Sequence, residues 1–263
     1  MSLNLKSFRY KCNIKEGNDL RQWCKSYRII DMNADATRKI RLIMYLREKG
    51  IHSTDVLRAL EITPREAFIP EMFHDQAYED LALPIGRGQT ISQPLVVAHM
   101  TQALKLDPMH KVLEIGTGCG YQATVLSHLC RRVYTIERHR PLFENANKTM
   151  DGLRVRNITT LLGDGMKGWP AQAPFDRIIC TAAARREAPY ELLSQIKEGG
   201  HLVIPVGEPG DQWLYRFTKR PDGECTKEKL FSVRFVPLLP DIAKDSEEET
   251  LATRDPELME MAV

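Results

Sequence analysis

From Lys111 onward the chain alternates apolar runs with helical segments: "KVLEIG", "YQATVLSHLC", "RVYTIE", "RPLFENANKTM", "ITTLLGDG", "FDRIICTAAA", "ELLSQIKEGG" and "HLVIPVG". No other feature restricts the fold as much, because this alternation requires β-α-β units and a doubly wound, mostly parallel sheet, an α/β class of Rossmann-like design. Several of the strand-like runs end in Gly, Asp or Glu, which is where an open α/β sheet holds its ligands. At the far end, "QWLYRFTKR", the turn "PDGE" and "LFSVRFVPLLP" predict an antiparallel C-terminal strand pair at the sheet edge.

Ahead of the alternation, "ATRKIRLIMYLREKG" spaces Ile40, Ile43, Met44 and Leu46 as an amphipathic helix from Ala36, stopped at Gly50. "STDVLRALEITP" predicts a second, short helix opened by a Ser-Thr-Asp cap and halted by Pro64. A polar and aromatic loop, "PEMFHDQAYEDLALPIGRGQ", leads to a helix opening at Pro94. A chain of 263 residues suits one such domain with extensions. Residues 1–34 read as a flexible N-terminal extension, 35–240 as the folded domain, and the acidic, aromatic-free residues 241–263 as a solvated tail.

Both signs of charge are interspersed and the formal net charge is +2, so no nucleic-acid-binding signature is present. No apolar run reaches a membrane span and the N-terminus lacks a secretory pattern, which points to a cytoplasmic protein without a membrane role. The six cysteines include no CxxC pair and the histidines have no ligand spacing, so no metal is expected.

"VLEIGTGCGYQ" sets Gly116, Gly118 and Gly120, with Thr117 between the first two, directly after a strand and before a helix. A dinucleotide fingerprint needs its third glycine at 121, where this chain has Tyr121, so NAD is disfavoured. Glu114 precedes the loop, and Glu137 ends the next strand. A carboxylate there can accept hydrogen bonds from ribose hydroxyls and would repel a diphosphate. An adenosyl ligand with an ammonium group and no phosphates fits best, which is S-adenosylmethionine. At the third strand end, Gly163, Asp164 and Gly165 either read the adenine amino group through Asp164 or form an ordinary Asp-Gly turn.

"GRGQTISQPLVVAHM" crowds Thr90, Ser92 and Gln93 before Pro94. On spacing, Ser92 is a helix-capping residue.

The motifs "PREAFIP", "AYEDLALPIGRGQTISQP", "VLEIGTGCGYQ", "GDGMKGWPAQAPFDRIICTAA", "LVIPVG" and "RFVPL" together resemble the bacterial-type protein-L-isoaspartate O-methyltransferases, from about Ile40 to Pro240. The resemblance implies a Rossmann-like S-adenosylmethionine-dependent methyltransferase fold. The implied activity is methylation of the free α-carboxylate of L-isoaspartyl residues in damaged proteins and peptides, and the implied place of action is the cytoplasm. It assigns Ser92, with Thr90 as a second hydroxyl, to orienting that carboxylate, and Gln93 to contacting the substrate. Glu114, Gly116, Thr117, Gly118, Gly120, Glu137, Asp164 and Gly165 fall in the cofactor region. Val206 falls where backbone groups pair with the substrate peptide. Capping and catalysis by Ser92 can coexist. Such a site needs no general base, because the acceptor carboxylate, with a pKa near ~4, is already ionised at neutral pH. Two departures stand out: Cys119 where serine is usual, which could add oxidation sensitivity, and Arg185 and Arg186 in a stretch that is usually less basic, which read as surface charges.

Overall fold

The computed structural model describes residues 29–244. The chain groups into Met1–Arg38 and Lys39–Val263, and the first group enters the description only through the opening turns of helix α1. Helix α1 spans Ile29–Glu48, starting seven residues earlier than the periodicity predicts. No glycine or proline lies between Ile29 and Gly50, so nothing in the sequence stops the helix from propagating backwards. The predicted flexible extension therefore loses residues 29–34; residues 1–28 lie outside the described residues, as do 245–263.

Helix α2 (Thr54–Ile62) is capped as expected: the Ser53 side chain accepts from the Val56 N–H. The predicted loop after it has more structure than its composition shows. A 3₁₀ turn covers Arg65–Phe68 and another Glu71–Gln76. A two-stranded antiparallel ribbon follows, β1 (Leu83–Gly86) and β2 (Gln89–Ile91). Helix α3 runs Pro94–Ala103.

The main sheet takes β3 (Lys111–Ile115), β4 (Arg132–Glu137), β5 (Ile158–Leu162), β6 (Phe175–Cys180), β7 (Ile196–Glu208), β8 (Asp211–Lys219) and β9 (Cys225–Val233). Its order is β5-β4-β3-β6-β7-β8-β9, parallel from β5 to β7 and antiparallel across β8 and β9. Helices α4 (Tyr121–Ser127) and α5 (Arg140–Gly152) make the crossovers around β4, while 3₁₀ turns link β5 to β6. Helix α6 spans Tyr190–Ser194, so only Glu191 to Ser194 of the predicted "ELLSQIKEGG" helix is helical. The rest joins β7, where Ile196 pairs with Phe175, and a Cβ on Gly200 would lie 2.7 Å from the Asp176 carbonyl. Paired glycines disfavour a helix and allow this close approach.

Strands β3 and β4 alternate in which face each residue serves. Val112 and Val133 lie in a core with Met100 of α3, Leu126 of α4 and Ala146 of α5. Leu113, Ile115 and Ile136 lie in another with Phe175 and Leu192 of α6. A third cluster joins α2 and the β1-β2 ribbon to α3 and Tyr121. Each fully buried leucine or isoleucine contributes roughly 1.5–3 kcal/mol. The strand order reverses between β3 and β6, so the ligand crevice of such a sheet opens at their carboxyl ends.

Candidate active site

The loop after β3 turns through three glycines with positive φ, Gly116 at 90°, Gly118 at 55° and Gly120 at 92°. The Ile136 carbonyl accepts from the N–H groups of Gly116 (2.9 Å) and Thr117 (3.2 Å), tying the loop to β4. Thr181, just past β6, fixes the other side: its hydroxyl donates to the carbonyls of Ile115 (3.0 Å) and Gly116 (2.7 Å). A Cβ on Gly116 would lie 2.5 Å from that hydroxyl oxygen, and one on Gly118 would lie 3.3 Å from Cδ1 of Ile85 on β1. Loop and ribbon are therefore close neighbours.

Glu137 is buried, and every hydrogen bond it accepts comes from backbone. Its Oε2 takes the Gly118 N–H at 2.7 Å, and its Oε1 takes those of Arg138 (2.9 Å) and His139 (2.8 Å). Burial raises its pKa against the pull of these donors. Glu114 lies deeper, with no exposed surface. Thr135 donates its hydroxyl to Glu114 Oε2 at 2.5 Å and lies 2.7 Å from the hydroxyl of Thr117, while Glu114 Oε1 has no partner. Burial pushes the Glu114 carboxyl up to about 8, so it is largely protonated at neutral pH. The two carboxylates thus differ in duty: Glu137 stands at the loop, and Glu114 supports it from beneath through Thr135 and Thr117.

The ribbon delivers the hydroxyl segment. Thr90 is exposed on β2, and half-buried Ser92 follows it. The α3 N-cap is Gln93, whose side chain makes no capping bond. The first-turn N–H of Leu95 is instead taken by Asp80 Oδ1 at 2.8 Å. Asp80 also accepts the Tyr45 hydroxyl at 3.1 Å, and its carbonyl accepts from the Gln93 amide at 3.3 Å. The predicted capping role of Ser92 is thereby corrected: a carboxylate from a distant turn has taken it. Ser92 Oγ has no hydrogen-bond partner among the described residues, whereas its carbonyl accepts from the fully buried Arg65 at 2.9 Å. Neither Asp80 nor Arg65 was singled out from sequence, although "PREAF" and "AYEDLALP" contain them.

At the third strand end, the Asp-Gly turn forms: Asp164 Oδ1 accepts the Met166 N–H at 2.9 Å, and its Oδ2 lies 3.4 Å from Lys167 Nζ. Gly165 is buried against Ile115. Val206 offers no free backbone edge. It pairs with Trp213 on β8, while its neighbours Pro205 and Gly207 bond to Ala184. Arg185 binds both oxygens of Glu208, at 2.9 and 2.8 Å, on the surface. Cys119 packs against the core, and burial pushes its thiol up to about 11, which opposes the oxidation sensitivity that the serine replacement raised.

One unpredicted element completes the crevice. After β9 the chain returns across the carboxyl ends of the strands. The Ala183 N–H donates to Val236 O at 2.8 Å, the Leu238 N–H to Ala183 O at 2.8 Å and the Ala243 N–H to Arg138 O at 3.0 Å. The Arg138 guanidinium donates to the carbonyls of Asp241 (3.2 Å) and Pro240 (3.3 Å). The expected solvated tail from Asp241 is corrected accordingly: this strap is hydrogen-bonded through Ala243, which is buried.

A family model described as protein-L-isoaspartate(D-aspartate) O-methyltransferase matches residues 37–242. The chain belongs to this methyltransferase family. A protein-L-isoaspartate O-methyltransferase of Rhodospirillum centenum is 56% identical over 211 residues, 80% of this chain and 96% of the relative. One from Parvibaculum lavamentivorans is 54% identical over 218 residues, 82% of this chain and 97% of the relative. Among solved structures, a protein-L-isoaspartate O-methyltransferase at 28% identity aligns with a TM-score of 0.70 over 78% of this chain and 67% of that one. A Plasmodium falciparum protein described as the same enzyme, in complex with S-adenosyl-L-homocysteine, aligns at 26% identity with a TM-score of 0.67 over 76% of this chain and 97% of that one.

Proposed function

We propose that this methyltransferase transfers the methyl group of S-adenosylmethionine to the α-carboxylate of L-isoaspartyl residues in damaged proteins and peptides. The observation that carries the reading is the juxtaposition of two halves: a glycine cradle anchored to Glu137, and beside it a ribbon ending in an unbonded serine hydroxyl.

The cradle suits the methyl donor. Gly116, Thr117, Gly118 and Gly120 let backbone approach it, and Glu137 offers ribose hydroxyls an acceptor. Asp164 and Gly165 border the adenine side. Glu114, buried beneath the loop, holds it through Thr135 and Thr117. When bound, the donor supplies an electrophilic methyl group on a sulfonium, whose S–C electron pair stays on sulfur as the carboxylate oxygen takes the methyl.

The chain's own residues supply alignment and dryness. The Ser92 hydroxyl donates to one carboxylate oxygen and so orients the other, with Thr90 and Gln93 as neighbouring polar contacts. Hydroxyl and amide donors at the acceptor suit a cationic methyl donor better than a lysine or arginine would, because they hold the anion without repelling the sulfonium. The methyl ester product closes to a succinimide that hydrolyses partly to normal aspartate, so repair accrues over cycles.

The catalytic unit in this reading is residues 35–244, and its place of action is the cytoplasm. Supporting the latter, Cys119, Cys130, Cys180 and Cys225 are free thiols, and no described helix is long and apolar enough to cross a membrane. A methyl-transfer assay with paired synthetic peptides, L-isoaspartate or L-aspartate at one position, tests the function. Selective labelling of the first is expected; equal labelling of both, or none, would sink the assignment.

A further inference from the structure

Arg65 has no exposed surface and no carboxylate partner among the described residues. One terminal nitrogen donates to two carbonyls, Ser92 O at 2.9 Å and Leu81 O at 3.1 Å, while its Nε and other terminal nitrogen have no acceptor. The guanidinium carbon lies 5.0 Å from the centroid of the Tyr121 ring, at the start of α4 just beyond the glycine loop. A buried cation with no carboxylate in direct contact, attracted only at longer range by Asp80, is costly unless its field is used.

Its placement shows the use. The Ser92–Gln93 peptide is trans, so its carbonyl and N–H point in opposite directions. With the carbonyl bound by Arg65, the Gln93 N–H points away from it, and no described group accepts either that N–H or the Ser92 hydroxyl. A charge-assisted bond to the carbonyl polarises the peptide group and strengthens that N–H as a donor.

We propose that Arg65 is a positioning residue for methyl transfer: it locks and polarises the Ser92–Gln93 peptide, so that the Gln93 N–H and the Ser92 hydroxyl together receive the substrate carboxylate. The inference rests on the reading of Ser92 given above. It places positive charge one peptide group behind the acceptor, where it attracts the carboxylate without forming a direct ion pair.

The test uses the full chain with Arg65→Met, Arg65→Lys, Ser92→Ala and the Arg65→Met/Ser92→Ala pair. With an isoaspartyl peptide, Arg65→Met should lower kcat on the order of 10²-fold, the cost of about an ångström of misplacement. Cofactor affinity, read by calorimetric titration, should stay within about threefold of wild type, while Arg65→Lys, which keeps charge and donors, should recover at least about a tenth of the rate. In the double variant, Arg65→Met should add little to Ser92→Ala. Independently of turnover, the Gln93 amide ¹⁵N resonance should move upfield in Arg65→Met, and in Arg65→Lys should stay close to wild type. Additive rate losses, or a parallel fall in cofactor affinity and thermal midpoint, would reduce Arg65 to scaffolding and overturn the proposal. An unmoved Gln93 resonance would overturn it as well, even for a wild-type chain that labels no isoaspartyl peptide, a result that by itself defeats only the functional reading. If Arg65→Met fails to fold, Arg65→Gln, which also removes the charge, carries the same measurements with the same expected losses.

Discussion

Ser92 combines a fixed backbone with a free side chain, and the two properties have different causes. Its carbonyl is held from the core, and the capping duty that would have occupied its hydroxyl belongs to Asp80. Ser92→Ala should therefore lower kcat by about 10²-fold, the cost of one oriented donor at a reacting oxygen, with cofactor affinity unchanged in a separate titration. Glu137→Ala should instead weaken cofactor binding by roughly 1.5–3 kcal/mol, the worth of hydrogen bonds to a charged group, also by titration. Glu114 gives a pH signature. Its folded value, about 8, lies above the unfolded one, so its contribution to stability is full below the unfolded value and is lost as pH rises through about 8. Urea unfolding of wild type should lose on the order of 2–4 kcal/mol of stability across that window from this group. Glu114→Gln should flatten the loss; an unchanged profile would show that Glu114 ionises freely. The glycine loop and Glu137 were legible because strand, loop and next strand follow each other in order. Arg65 and Asp80 were not, because they meet their partners across 27 and 15 residues, a distance no local pattern encodes.

At the scale of elements, α3 depends on a cap supplied from outside it. Asp80→Ala should cost about 1 kcal/mol of unfolding free energy, typical for a lost N-cap. It should also slow turnover, because the same carboxylate fixes Tyr45 and the entrance to the Ser92 segment. Asp80→Asn, which keeps an acceptor, should recover most of the stability. The strap gives a sharper contrast: a chain ending at Lys244 should bind cofactor like the full chain, and one ending at Arg234 should bind it more weakly, by titration. The parallel strands were readable from alternation. The β1-β2 ribbon was not, since its strands have four and three residues, one containing Pro84, too short to show a period of two. Helix α6 is shorter than the pattern predicts because the glycines that close the run, Gly199 and Gly200, let β7 approach β6.

Across the whole molecule, a sheet of seven strands carries the glycine cradle on its carboxyl edge, and the ribbon, α3 and the strap are added around that edge. The family match begins at residue 37, so a chain lacking residues 1–34 should keep the kcat/KM of the full chain within about twofold, a change under about 0.5 kcal/mol. A larger loss in the peptide assay would assign the leading residues a part in the reaction. The alternation made this architecture legible, because each βαβ unit is local; the closure of its edge was hidden, because it joins the C-terminal end of the folded region to loops after β4 and β6, far away in sequence.

That closure sets an order of events during synthesis. The crevice borders are made early, with β3 to β6, but the last hydrogen bond across them waits for Ala243. A growing chain that has emerged only to β8 carries a complete cradle with an open roof. It gains its roof only once Ala243 has emerged and can bond Arg138.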